Sequence, residues 1–361
     1  MENRVYIAKC EDYEQERVSE AVERVLDEFG GAAAILGDGK KVVVKPNLIM
    51  PRKPEDAATT HPTVVEAVCA AFVKAGAEVS IIDSTGGPHT KLVLRMLYGK
   101  TGMKTAAAES GANISFNTKS KTVKYPEARI MQKFSLLSPV LDADLVISVA
   151  KMKTHVFQSM TGCVKNLFGC IPGMGKPLLH RKYSKKEDFA GMLVDICEYI
   201  KPGFNIIDGV YGMEGAGPTG GTPKHTGAII GGLSPYTVDL AQCSLMGLRP
   251  DTVNTLHEAA SRNLAPETAE QLTWLGENPQ DYKKSYKPAI EHKTDAPPKI
   301  LETCIGCGDC ARICPMKCIE MQKATSNASQ AKQNKIAVID QKTCIRCYCC
   351  HEFCPAKAIL V

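Results

Sequence analysis

The chain has 361 residues, with 44 Lys and Arg against 39 Asp and Glu, a formal charge of +5, 44% hydrophobic residues and 23% charged ones. These are globular proportions, and without a Lys/Arg run interleaved with aromatics they give no reason to expect nucleic-acid binding. No stretch approaches the ~18 apolar residues of a membrane span, and the first residues lack an apolar signal core. A cytoplasmic protein without a membrane partner is the expectation.

In chain order, residues 11–29 place Val18, Val22, Val25, Leu26 and Phe29 at helical spacing, ending at Gly30-Gly31. KVVVK (41–45) predicts a buried strand stopped by Pro46. Thr60-His61-Pro62 opens a helix that Ala75-Gly76 ends, and EVSIID (78–83) predicts a second strand before Ser84-Thr85-Gly86-Gly87-Pro88. Helices follow through Leu92–Tyr98 and up to Gly111, then a hairpin within 113–133. DLVISVAK (144–151), FNIID (204–208) and TGAIIGG (226–232) are further strands, with helices at about 186–200 and Pro235–Met246. Strands alternating with helices predict an α/β domain, a mostly parallel sheet with helices on both faces. It spans residues 1–290, and a proline-containing linker at 291–300 leads to a small α+β module at 300–361.

That module carries one cysteine pattern twice, 40 positions apart: Cys304-x2-Cys307-x2-Cys310-x3-Cys314-Pro and Cys344-x2-Cys347-x2-Cys350-x3-Cys354-Pro. Three closely spaced thiolates with a fourth that reaches a second cluster is the bacterial ferredoxin run for [4Fe–4S] clusters. Zinc also takes thiolates, but structural zinc sites pair C-x2-C units across longer spacers and need no C-x3-C-P end. Two clusters are expected, and they require reduced thiols. Cys318 and Cys349 lie off the ligand spacing. The polar run 323–335 between the motifs predicts an exposed loop.

Ligands of open parallel sheets gather beyond the carboxyl ends of the strands. Lys45 and Asn47, then Ser84, Gly86 and Gly87, then Lys151, Lys153 and His155, and finally Gly215 and Gly217 all follow predicted strands. Together they suggest an anion-binding cleft. Gly215-x-Gly217-x-x-Gly220 resembles a dinucleotide fingerprint, but Pro218, Gly221 and Pro223 prevent the helix it must open. In the segment 161–173, Cys163 and Cys170 read as small buried hydrophobes; the alternative makes Cys163 a proton donor or nucleophile beside Lys165. Lys176, His180 and Arg181 are placed to close over an acidic substrate.

Lys45-Pro46-Asn47, Lys151-Met152-Lys153-Thr154-His155, Gly162-x2-Lys165-Asn166-x-Phe168-Gly169-x2-Pro172-Gly173 and Asp208-Gly209…Met213-x-Gly215-x-Gly217-Pro218 together resemble the family called domain of unknown function 362, over roughly residues 1–290. That resemblance implies an α/β domain with an iron–sulfur partner. The ferredoxin resemblance implies Cys304, Cys307, Cys310 and Cys354 around one cluster, and Cys344, Cys347, Cys350 and Cys314 around the other.

The leading expectation is an iron–sulfur oxidoreductase that takes electrons from an external donor such as ferredoxin or flavodoxin and passes them to an anionic small molecule at the strand ends. Lys45, Lys151, Lys153 and Lys165 would neutralise the anion, and His155 would donate a proton near neutrality. A non-catalytic electron-transfer or assembly partner in a larger redox complex is the alternative, and a non-redox enzyme with structural clusters the third reading. An additional flavin or metal is left open.

Overall fold

The computed structural model describes residues 2–289, 297–323 and 335–361. Nine strands form the main sheet: β1 (Arg4–Lys9), β2 (Lys41–Pro46), β3 (Glu78–Ile81), β4 (Asn113–Ile114), then, beyond a separate hairpin of β5 (Ser120–Lys124) and β6 (Lys133–Leu137), β7 (Leu145–His155), β8 (Ser159–Thr161), β9 (Phe204–Glu214), β10 (Thr222–Gly232) and β11 (Thr273–Gly276). Their order is β11-β1-β10-β9-β7-β2-β3-β4, with β8 folded back on β7. Strands β4, β3, β2, β7 and β9 all run parallel. β10 is antiparallel to both β9 and β1, and β11 runs parallel to β1. The sheet is therefore mostly parallel, as expected of alternating strands and helices.

The pleat divides the apolar strand residues between two faces. Val42 and Val44 pack with the helices Gln15–Asp27, Pro62–Lys74 and Lys91–Lys100. Val43, between them, faces the opposite layer, built on the helix Lys186–Ile200. Further along that layer, Ile207 and Ile230 pack with the helix Pro235–Leu245. Within Gln15–Asp27 the buried residues include Val18, Val22, Val25 and Leu26, the predicted apolar stripe.

Several elements differ from the sequence reading. β1 and β11 are additional strands at the sheet edge. β7 and β9 each run to 11 residues. β7 is prolonged because β8 returns against it, pairing Lys153 with Thr161 and His155 with Ser159. Lys151, Lys153 and His155 therefore lie inside the strand instead of beyond it.

The C-terminal module has its own core around Cys310, Ile319, Ala337, Cys350 and Ile359. β12 (Lys299–Ile300) pairs with β15 (Ile359–Leu360), and β13 (Ile319–Lys323) with β14 (Lys335–Ile339). The expected linker lies outside the described residues up to 296, and its last two positions join the module as β12. The expected loop at 323–335 lies outside them from 324 to 334; Lys323 and Lys335 are the paired ends of their strands.

Candidate functional site

The module seats one short helix, Cys349–Glu352, against the carboxyl ends of the parallel strands. Thr219 Oγ1 donates to the Glu352 carbonyl at 2.8 Å, and His351 Nε2 lies 3.0 Å from the Ala216 carbonyl oxygen. Arg52 donates to the carbonyls of Cys354 (2.9 Å) and Pro355 (3.4 Å). Gly86 leaves space for the Phe353 ring, which a Cβ at that position would strike. The Gly-rich loop after β9 thus lies over a helix of the same chain.

Between module and sheet is a cavity of about 60 Å³. Its floor is a buried network at the ends of β2 and β3. Lys45 Nζ pairs with Asp83 at 2.8 Å and donates to the Pro46 carbonyl (2.6 Å) and to Asn166 Oδ1 (3.3 Å). Asp83 also accepts from the backbone N–H groups of Leu48 and Ser84, at 2.8 and 2.7 Å. Asn166 Nδ2 donates to the Lys45 carbonyl at 2.7 Å and to Ser148 Oγ at 3.1 Å. Gly169 is required here, because a Cβ would collide with Lys45 and Asp83. Asn47 Nδ2 donates to Asn166 Oδ1, while its own Oδ1 is buried without a partner among the described residues.

The walls carry the reactive groups. Lys165 lines the cavity and makes no ion pair or hydrogen bond among the described residues. Lys176 donates to the carbonyls of Ser84 and Thr85, and burial pushes its ammonium down to about 7 although Asp83 opposes the shift. His180 stacks on Phe189 at 4.3 Å, and burial lowers it to about 4. Opposite stand Cys349, Glu352 and Phe353 of the module.

His155 sits behind Glu352, its Nε2 3.1 Å from Oε1. Its Nδ1 accepts backbone N–H groups from Phe157 (3.0 Å) and Gln158 (3.3 Å), which assigns the proton to Nε2 and leaves no room for a second. Burial lowers the ring to about 3, so it is neutral at pH 7. Burial raises the Glu352 carboxyl, but His155, Lys165 and His180 outweigh it and hold the group below the usual carboxylate range.

Several predicted residues stand elsewhere, and the reasons are physical. Lys151 is fully buried and committed to Asp208 (2.9 Å) and the Tyr13 hydroxyl (2.7 Å). Lys153 donates to the Ala58 carbonyl at 2.6 Å, and burial, reinforced by the Lys165 charge, drives its pKa well down. Neither lines the cavity. Cys163 is no nucleophile: it lies in the apolar core, and burial pushes its thiol well up. The expected proton donation by His155 near neutrality is overturned by the same burial. Gly87 sits beneath Gly173, Gly215 donates to the Lys287 carbonyl, and Gly217 approaches the Thr154 carbonyl too closely for a side chain; none of the three touches the cavity. Lys45, Asn47, Ser84, Gly86 and Lys165 do line it, with Lys45 already neutralised by Asp83. Lys176 and His180 line it too, whereas Arg181 is exposed.

Nothing in the sequence pattern assigns Cys349, Glu352 and Phe353 to the cavity that they line. They fill spacer positions of the second cysteine motif, which places them beside a cluster without showing which way they face.

The eight motif cysteines surround two further cavities. Cys304, Cys307, Cys310 and Cys354 line one, among Ile300, Met321 and Ala358. Cys314, Cys344, Cys347 and Cys350 line the other, together with Cys318 and Cys349. Among the described residues no three His, Cys, Asp or Glu groups converge on a single ion, as a zinc site would need. Four thiols spread around an apolar hollow fit a cluster whose irons each take one thiolate.

The sequence matches the family described as "Domain of unknown function (DUF362)" over residues 42–244, and a "4Fe-4S dicluster domain" over 303–358. A thylakoid-associated protein of Synechocystis sp. is 28% identical over 283 residues, covering 77% of this chain and 84% of that protein. The lactate racemase apoprotein of Thermoanaerobacterium thermosaccharolyticum aligns over 57% of this chain with a TM-score of 0.35 and 14% identity, and the match spans 50% of the racemase.

Proposed function

We propose, for a chain that belongs to the domain of unknown function 362 family and carries a 4Fe–4S ferredoxin domain, the role of an iron–sulfur oxidoreductase acting on a small anion. One observation carries this reading: Cys349 lines both the second cysteine cavity and the cavity at the strand ends. A single side chain separates the redox module from a pocket whose Lys165 has no hydrogen-bond or ion-pair partner among the described residues. Two [4Fe–4S] clusters, when bound, supply single electrons; Cys304, Cys307, Cys310 and Cys354 would hold one, and Cys344, Cys347, Cys350 and Cys314 the other.

The pocket's own residues define the ligand. At roughly 15 Å³ for each water-sized occupant, about 60 Å³ is room for about four. Lys165 binds the anionic end, since Lys45 is already neutralised and Glu352 repels a second carboxylate from the module side. Asn47 Oδ1 accepts from a donor on the ligand. Lys176, with its pKa near 7, holds a proton at Nζ that it can release into the cavity. Phe353 and the Phe168–His180–Phe189 stack exclude water. The exposed Cys307 edge of the first cysteine cavity is where a ferredoxin- or flavodoxin-type donor would dock, in the cytoplasm.

The test uses anaerobically purified holoprotein, reduced with dithionite and desalted, to which small carboxylates and oxoanions are added while cluster absorbance near 400 nm is followed. At least one should reoxidise the clusters, and Lys165→Ala should slow that at least tenfold with iron content unchanged, the loss of one charge-assisted hydrogen bond of about 1.5–3 kcal/mol. Reoxidation by none of them, or at the same rate in the variant, would remove the anion pocket from the reaction.

A further inference from the structure

Two helices flank the loop 84–88 that forms one rim of the cavity, and both turn apolar side chains to solvent. Lys91–Lys100 exposes Leu92 (67%) and Met96 (53%), one helical turn apart. Around Gly175–Lys182, Met174 (44%) and Leu178 (59%) repeat the pattern. The two helices begin at one contact, since a Cβ on Gly173 would meet the Gly87 carbonyl and His89 Cβ, each at 2.8 Å. These four residues are half of the large hydrophobic side chains exposed among the described residues. The other four are scattered at Tyr211, Leu301, Val338 and Leu360.

The charge around them is one-sided. Residues 84–104 and 172–186 hold nine Lys and Arg and no Asp or Glu, leaving 35 basic against 39 acidic residues in the rest of the chain. The excess that makes this protein basic is therefore concentrated in these two segments. Lys91, Arg95, Lys100, Arg181, Lys182 and Lys185 are all exposed. Apolar residues one turn apart, ringed by cations on the same short helices, form the amphipathic pattern that rests in the headgroup region of an anionic bilayer.

We propose that this two-helix face docks on an anionic lipid surface, with Leu92, Met96, Met174 and Leu178 entering the interface and the surrounding Lys and Arg meeting the headgroups. This departs from the expectation of no membrane partner, which rested on the lack of a spanning segment. No helix among the described residues is long and apolar enough to cross a membrane. Peripheral docking needs no such helix. Charge complementarity selects the occupant: a second copy of the chain would bring the same cations against these and repel them.

The holoprotein is sedimented with vesicles of phosphatidylcholine alone and of phosphatidylcholine with 30% phosphatidylglycerol. Binding to the second at least tenfold stronger than to the first, and weakened several-fold between 50 and 300 mM salt, is expected. Leu92→Ser combined with Leu178→Ser keeps every charge and should lower binding at least fivefold. Arg95→Gln with Arg181→Gln keeps every apolar residue and should do the same. Both pairs are on the surface, and unchanged cluster absorbance verifies the fold. Equal binding to the two vesicles, none to either, or variants that bind like the parent would overturn the proposal. So would a concentration-dependent dimer abolished by the serine pair. Turnover of any anion does not enter the readout, so this outcome stands apart from the oxidoreductase reading.

Discussion

The two cysteine repeats share a backbone and differ in what they face. Positive φ recurs at matching positions: Gly306 and Arg346 (69° and 55°), Gly308 and Tyr348 (76° and 60°), Lys317 and Lys357 (53° and 51°). The spacers diverge. The first repeat has Gly308, Asp309 and Arg312 at or near the surface, and Cys307 is exposed. The second has Tyr348, Cys349, His351 and Glu352, all buried against the large domain. The motif cysteines line the two cavities; spacer positions give the module a direction, one cysteine cavity toward solvent and the other toward the pocket.

The largest expected effect breaks that asymmetry. Tyr348 is a fully buried aromatic in a left-handed conformation, and its partner position shows that glycine suits the backbone there. The strain of about 1–2 kcal/mol is accepted because the ring packs into the large-domain core. Tyr348→Gly relieves the strain but removes a core aromatic, a loss of about 3–5 kcal/mol. A net destabilisation of about 1–4 kcal/mol is expected in anaerobic thermal unfolding, with weaker anion binding because the module loosens. An unchanged melting temperature would mean the docked arrangement contributes nothing to stability.

This contrast also explains what the sequence could reveal. The motif cysteines are recognised by spacing, a local property, and strands such as Lys41–Pro46 and the first half of Phe204–Glu214 announce themselves by apolar runs. The pocket is non-local: Lys45, Asp83, Lys165, Lys176 and Glu352 come from five segments. Lys45, Asn47 and Ser84 line the cavity beyond the strand ends, whereas Lys151 and Lys153 do not, because nothing in the sequence shows β8 folding back to extend β7. Cys163 lies in the apolar core, in keeping with its reading as a small buried hydrophobe; the alternative, a nucleophile, needs an exposure that spacing does not show. The glycines at 86 and 217 read as ligand-facing, and they are glycine because Phe353 and the Thr154 carbonyl occupy the space.

A middle-sized effect sharpens the pocket side. Lys176 has its pKa lowered to about 7, so its ammonium is populated below that pH and lost above it. An anion in the cavity is attracted only by the protonated form. Affinity should therefore fall as pH rises from about 6 to 8, by roughly tenfold, or about 1.4 kcal/mol. Lys176→Met should bind weakly and without pH dependence, measured by calorimetry on the oxidised holoprotein. A pH profile that survives this substitution would assign the titration to another group.

The smallest effect lies in the solvent-facing part of the second repeat. Arg346 is exposed, and its left-handed backbone matches Gly306 of the first. Its backbone N–H lies 3.4 Å from Cys344 Sγ, and glycine would keep that donor. Arg346→Gly relieves about 1–2 kcal/mol of strain against about 0.5–1 kcal/mol of added chain entropy, so stability should rise by up to about 1.5 kcal/mol. The sign separates Arg346 from Tyr348, because the Tyr348 ring packs into the large-domain core, whereas the Arg346 side chain makes no hydrogen bond or ion pair among the described residues. If Arg346→Gly instead slows reduction by an external donor while stability rises, then Arg346 is strained for the sake of that partner. The donor's approach would then extend from the Cys307 edge across to the second motif.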